Sequence, residues 1–332
     1  MSKIRKLYYF DKKKTQEMIS FLNNNVNDNY ITHIMFNPFM PLHHFLPLKL
    51  KFLPESYVLI EDNDIKGLIT IAPTKLQERR MEIQKLFFEE NSLSIASELI
   101  QYVVSKYKAM GVASIMVKVD DYFSELVAML INKCGFSQIS NEKLWRINKV
   151  IEEPFNEKMF RQFRNSDANK IESIYNDCLL PHFRPFLSKE AKEFKEVFCK
   201  GLLYYSEYKY TIENLDNNEI IGCINIQTSD NENFIIEIIY NNWMDINLNS
   251  IIYYAVSQIR KRKKRFGLFI KTKNYANDGK IQEELFEQNG FECVQNQIVL
   301  TNSSAKILKE NMKAHKYTVI TDFISNNPIP NQ

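Results

Sequence analysis

Two carboxylates stand in apolar, aromatic company: Glu82, in Glu82-Ile83-Gln84-Lys85-Leu86-Phe87-Phe88, and Glu237, in Phe234-Ile235-Ile236-Glu237-Ile238-Ile239-Tyr240. Burial disfavours the charged form of a carboxyl group and raises its pKa, which suits a general base. Each is therefore a candidate proton acceptor; the alternative is that strand alternation turns it to solvent. The first stretch continues through Glu89-Glu90-Asn91-Ser92 into a helical pattern with apolar residues at Ile95, Leu99 and Val103, a spacing of four that keeps one face buried. A strand that feeds a helix through small and polar residues can receive a phosphate, because the first N–H groups of the helix lack partners and carry the positive end of its dipole.

The elements around these stretches follow from periodicity and turn residues. In the first half, Lys3–Phe10 reads as a strand and Lys14–Leu22 as a helix. Tyr30–Pro54, apolar and broken by prolines, reads as a cover over a pocket or interface. Ser56–Glu61 and Ile65–Pro73 are strands joined by the turn Asp62-Asn63-Asp64. The strand and helix of the opening stretch follow, the helix closing at Met110-Gly111. Ser114–Val119 is a strand, Asp120–Asn132 a helix, and Leu144–Ile147 a last strand after Gly135-Phe136.

The second half repeats the order. Met159–Phe163 is a strand, and Asn169–Leu179 and Lys189–Phe198 are helices. Lys209–Glu213, Ile220–Gln227 and Phe234–Tyr240 are strands, Leu248–Ile259 a helix, Leu268–Thr272 a strand and Lys280–Gln288 a helix. Gly290-Phe291 then leads into a strand at Gln297–Thr301. Gly67 and Gly222, Gly135 and Gly290, and Glu82 and Glu237 are each 155 residues apart. One offset shared by unrelated local features points to a duplicated domain. Residues 1–150 form the first copy, 151–302 the second, and 303–332 a tail with a helical stretch, a short strand and a flexible end.

Composition narrows the class. The chain has 332 residues, 45% hydrophobic and 25% charged, with a net charge of +3, which gives no electrostatic footprint for nucleic acid or membrane. The five cysteines form no C-x-x-C pair and read as reduced thiols. The first residues lack the apolar core of a signal peptide, and no apolar run reaches the ~18 residues of a membrane span, so a cytoplasmic protein is expected. Arg260-Lys261-Arg262-Lys263-Lys264-Arg265 either complements a helix C-terminus or meets an anionic partner. His43-His44 has no further ligands at metal-binding spacing, so no metal is expected.

Taken together, Ile65-Lys66-Gly67-Leu68-Ile69-Thr70-Ile71 and Ile220-Ile221-Gly222-Cys223-Ile224-Asn225-Ile226, with the helix endings at Gly135-Phe136 and Gly290-Phe291, resemble the GCN5-related N-acetyltransferase (GNAT) superfamily twice over. The resemblance implies an α/β (α+β) fold: two tandem domains, each a twisted, mixed and mostly antiparallel sheet flanked by helices, with the fourth and fifth strands splayed. It implies acetyl-CoA as co-substrate and an amine on a small molecule or a protein as acceptor; the small net charge and the short apolar runs, not the resemblance, speak against a membrane partner and leave nucleic acid a minor option. The pantetheine arm would lie along Leu86, Phe87 and Phe88, and the pyrophosphate over Asn91, Ser92, Ser94, Ile95 and Ala96. In the second copy the equivalent loop falls near Asp245–Asn249.

The resemblance assigns the base to Glu82 or Glu237. It also implies a loop with an arginine or glutamine and two small residues, matched here by Asn91, Ser94 and Ala96. The family's acid is a tyrosine four residues before the Gly-Phe; Ile131 and Phe286 stand there, and neither donates a proton. Tyr122, Tyr240 and Tyr275 are substitutes that the sequence does not choose between. A non-catalytic GNAT-fold binding or scaffold protein is the alternative that these losses leave open.

Overall fold

The computed structural model describes residues 2–8, 11, 13–15, 55–74, 77–89, 92–196, 206–228, 230–274, 276 and 278–303. The Tyr30–Pro54 segment, His43-His44, Asn91, Tyr275 and the tail beyond Ser303 lie outside them.

Among the described residues, one continuous sheet of twelve strands runs through both halves. The first half supplies β1 (Lys3–Lys6), β2 (Glu55–Glu61), β3 (Asp64–Thr74), β4 (Gln77–Phe88), helix α1 (Leu93–Ala109), β5 (Ser114–Asp120), α2 (Ser124–Cys134) and β6 (Ser137–Arg146). The second half supplies β7 (Phe160–Gln162), α3 (Ala168–Cys178), the single helical turns α4 (Arg184–Leu187) and α5 (Ala191–Phe194), then β8 (Ser206–Glu213), β9 (Ile220–Thr228) and β10 (Asn233–Tyr240). It ends with α6 (Leu248–Arg260), β11 (Gly267–Lys273), α7 (Gly279–Gln288) and β12 (Glu292–Ser303). Of the helix expected over Lys189–Phe198, the described residues form the single turn α5, started by a capping box between Glu190 and Glu193.

Local chemistry sets the turns. Asp62 and Asn63 both take positive φ, 51° and 66°, the geometry of a two-residue turn whose twist matches its strands. Helix α7 ends on Gly290 at φ 71°, where the N–H of Gly290 bonds the carbonyl of Glu287 and that of Phe291 the carbonyl of Phe286. This is a glycine-closed helix end in which Phe291 folds back on the core. Helix α1 buries Ile95, Ala96, Leu99, Ile100, Val103 and Val104 against the sheet. It comes close because Gly67 on β3 has no side chain: a Cβ there would stand 2.7 Å from Ile95 Cγ2 and 2.8 Å from Leu99 Cδ1.

The strand order is β1-β2-β3-β4-β5-β12-β6-β11-β10-β9-β8-β7. The last strands of the two halves are exchanged. β12 lies against β5, with Ser303 opposite Ser114, and β6 lies against β11, with Arg146 opposite Phe269. β12 and β6 pair with each other at the centre. Each half of the sheet is thus completed by the other half's final strand.

The two halves also differ in register within the strands. Gly67 pairs with Phe88 and Gly222 with Tyr240, so the partners are 21 residues apart in the first half (88 − 67) and 18 in the second (240 − 222). Helices α1 and α6 begin at Leu93 and Leu248, again 155 apart (248 − 93). The first half spends three more residues before the end of its β4 strand. The second spends three more between β10 and α6, where a 3-10 turn Trp243–Asp245 sits. The two differences cancel, and the constant offset conceals both. As a consequence, Glu82 and Glu237 are not equivalent: Glu237 lies opposite Asn225, the third residue after Gly222, and the third residue after Gly67, Thr70, lies opposite Lys85.

Candidate functional site

Two places in the sheet open. β4 and β5 run parallel and pair from Arg80↔Ser114 to Ile83↔Val117, after which β4 continues alone to Phe88. β10 and β11 pair from Asn233↔Gly267 to Ile236↔Ile270, after which β10 continues to Tyr240. Parallel strands that part in this way leave backbone N–H and C=O groups facing the gap. In the first half the register on β3 slips between Thr70 and Ile71, so that Gln84 forms a bulge at the point of divergence. A bulge bends its strand and leaves a residue out of the ladder.

In the first gap, Leu86, Phe87 and Phe88 are half-buried along the free stretch of β4. Leu86 and Phe88 pack beneath α1 and Phe87 on the opposite face with Val58 and Leu68. Ser92 precedes α1 but its side chain caps nothing, and no acidic residue lies in the first turn. The N–H groups of Ile95 and Ala96 bond the carbonyl of Ser92. Those of Leu93 and Ser94 have no partner among the described residues. The side chains of Ile95 and Ala96 point into the core, Ala96 being fully buried. The small size of Ala96 therefore serves helix–sheet packing, and only Ser94 is exposed. Lys66 pairs with Glu89 at 3.1 Å beside the helix start.

In the second gap, the start of α6 is closed. Asn247 Oδ1 accepts from the N–H of Ser250 at 3.0 Å, Asn247 Nδ2 donates to Glu153 at 2.6 Å, and Ser250 Oγ donates to the carbonyl of Pro154 at 3.1 Å. A carboxylate and a linker segment stand where a phosphate would have to lie.

Charged side chains cross one face of the sheet between the gaps. Lys118 on β5 reaches over β12 to Glu142 on β6 at 2.8 Å. Glu142 stands opposite Lys273 on β11, and Lys273 pairs with Glu237 on β10. Burial would push the Glu142 carboxyl up, but Lys118, Lys271 and Lys273 outweigh it and hold the pKa at about 2. The same balance governs Glu237, where burial is outweighed by Lys273, Lys189 and Lys271 and the pKa lies well below the usual carboxylate range. The raised pKa expected of Glu237 from burial is thus reversed by its lysine neighbours. Glu82 is half-buried on β4 opposite Met116, and its charge favours the ammonium form of Lys118.

Lys85, at the position that Glu237 holds in the second half, is the residue the sequence pattern missed. It is buried, and desolvation lowers its pKa to about 7. The signal was present as a lysine alternating with Ile83 and Phe87 across a bulge that could not be foreseen. The acid position is likewise apolar in both halves. Phe286 is fully buried, with ring centroids 5.9 Å from Trp145 and 6.2 Å from Trp243. Ile131 is 38% exposed. In α2 the N–H of Phe136 bonds Leu130, six residues back, whereas Phe291 bonds Phe286, five back. Leu130, one residue before Ile131, is the residue of α2 that is fully buried as Phe286 is in α7. Of the substitute tyrosines, Tyr122 is 83% exposed, while Tyr240 lines a cavity beside Glu237. Among the described residues no group of three His, Cys, Asp or Glu side chains forms a metal site, and no helix is long and apolar enough to cross a membrane.

Comparison with solved structures places this architecture. A tandem GNAT protein from the clavulanic acid biosynthesis pathway, in its form without acetyl-CoA, superposes with a TM-score of 0.58 at 9% identity, covering 91% of this chain and 98% of that one. A GCN5-related N-acetyltransferase from Sphaerobacter thermophilus gives a TM-score of 0.59 at 8% identity, covering 91% and 95%. No protein-family model and no curated protein sequence matches the chain. The chain shares with these structures a doubled α/β fold.

Proposed function

We propose that the chain is an acyl-CoA-dependent N-acyltransferase that transfers an acetyl group from acetyl-CoA to an amine on a small molecule or protein, and that its cofactor site is the first gap. The observation that carries this reading is the difference between the two helix starts. N–H groups with no partner among the described residues and an exposed Ser94 lie at α1, whereas Asn247, Glu153 and Pro154 cover α6. The first gap fits the group: the free edge of β4 at Leu86–Phe88 would take the pantetheine arm, and the N–H groups of Leu93 and Ser94 the pyrophosphate. Acetyl-CoA supplies the acyl group as a thioester.

Removal of the proton from the acceptor's ammonium group falls to Lys85 or Glu82. Lys85, neutral above about pH 7, is matched to that task. The alternative, a binding protein of the same fold without catalysis, is favoured by the apolar residues Ile131 and Phe286 at the acid position.

Thermal unfolding with acetyl-CoA tests the reading. A ligand at 100 times its Kd stabilises by about 2.7 kcal/mol, and Ser94→Trp should remove the shift. No shift at millimolar acetyl-CoA would overturn the acyltransferase; a shift without turnover of any amine would favour the binding protein.

A further inference from the structure

The second gap is closed to a phosphate but it is not filled. A cavity of about 40 Å³ lies between β10, β11 and α3, lined by Tyr175, Leu179, Glu237, Trp243, Lys271 and Gln282 among others. One water-sized group needs roughly 10–15 Å³ of such space, so the cavity takes about three. Two of the three charged groups in its wall satisfy each other, Lys273 with Glu237. Lys271 is different. It projects from the same strand, two residues before Lys273, and has no hydrogen bond and no ion-pair partner within 4.0 Å among the described residues.

Lys271 is half-buried, and an ammonium group partly removed from water with no anion within ion-pair distance is costly. Burial and the neighbouring Lys118 lower the pKa of Lys271, and Glu142 and Glu237 offset only part of this. The remaining walls are apolar, from Leu179, Ile238, Ile239, Trp243 and Ala276, while Tyr175, Tyr240 and Gln282 can donate hydrogen bonds. A single fixed positive charge, a few donors, an apolar wall and room for a few heavy atoms define a small anion with a short hydrocarbon end.

We propose that this cavity binds a short aliphatic carboxylate, of the size of acetate or propionate, with its carboxylate on Lys271. The carboxylate belongs to a free acid or to the end of a larger molecule. The site is separate from the first gap and does not depend on the acyltransferase reading.

The test is thermal unfolding of the full chain in sodium formate, acetate, propionate, benzoate and chloride at matched ionic strength. Acetate and propionate should raise the Tm saturably above chloride, and benzoate should not. Lys271→Met should lose the acetate response while keeping the response to acetyl-CoA, if the wild type has one. An acetate effect equal to that of chloride, an equal effect of benzoate, or an unchanged acetate response in Lys271→Met would overturn the proposal. If Lys271→Met does not fold, the size series in the wild type decides. A response to acetate itself identifies the free acid as sufficient.

Discussion

Lys85 and Glu237 occupy the same place in the two halves of the sheet. Each lies opposite the third residue after a strand glycine, Thr70 in one case and Asn225 in the other. The corresponding strands therefore carry opposite charges at the point where each leaves its parallel neighbour. In the second half the carboxylate is held ionised by lysines from β11; in the first, burial holds the lysine near neutrality.

If Lys85 takes the acceptor's proton, the rate should rise with pH through about 7, and Lys85→Met should lower kcat by about 10²–10⁴ and abolish that limb of the profile. The stability of the fold supplies a second readout. Between about pH 7 and pH 10 the unfolded chain holds a proton on this lysine that the folded chain lacks, so stability rises with pH across that window. Lys85→Met should flatten the slope in urea titrations and stabilise the protein at pH 6.

Glu142 and Glu237 have the opposite sign. Their folded pKa values lie below the ordinary carboxylate value, so their contribution is present above about pH 4.3 and is lost as the pH falls toward 2. Glu237→Leu alone should cost about 3–5 kcal/mol by leaving Lys273 unpaired in a largely buried place, and Glu237→Leu with Lys273→Met should recover most of it. Denaturant unfolding at pH 7 separates the two outcomes.

The helix starts give a paired comparison. Asn247→Ala should cost about 1 kcal/mol, because its side chain caps α6. Ser92→Ala should change stability by less than about 0.5 kcal/mol, since Ser92 makes no cap bond. Urea midpoints of the two variants check this directly.

Gly67→Ala should destabilise by about 1–3 kcal/mol, because the added methyl meets Ile95, Leu99 and the carbonyl of Phe87. It should also weaken acetyl-CoA binding by lifting the first turn of α1 from β3. Calorimetric binding together with thermal unfolding distinguishes this from a purely structural loss.

The sheet hairpins, the strand glycines and the two helix–Gly-Phe endings were legible in the sequence, because each is set by local chemistry: positive φ, a missing Cβ, a helix stop. The relation of Glu82 to Glu237 was not. It depends on where three extra residues fall, before Phe88 in one half and after Tyr240 in the other, and a spacing count sees only their sum. The row of Lys118, Glu142 and Lys273 was equally hidden. Lys118 alternates with the buried Val117 and Val119 in the way of a solvent-facing side chain, Glu142 and Lys273 stand among polar neighbours, and only the elements that pack on that face make it interior. The free and covered helix starts could not be told apart either, since the cover at α6 comes from Glu153, 94 residues earlier in the chain.

The exchanged strands bear on how the protein is made. β5 is complete by Asp120, yet its neighbour β12 begins at Glu292. During synthesis the first half emerges with an open edge beside β5 and with its own last strand, β6, already at hand. Until the final residues leave the ribosome, β6 can close that edge provisionally, and it must let go before β12 arrives. A nascent chain stalled near residue 160 should therefore resist protease as a compact but differently paired species, and release of the full chain should be followed by a slow rearrangement. Unpaired edges of this kind are also where chains join one another, so residues 1–150 expressed alone should self-associate.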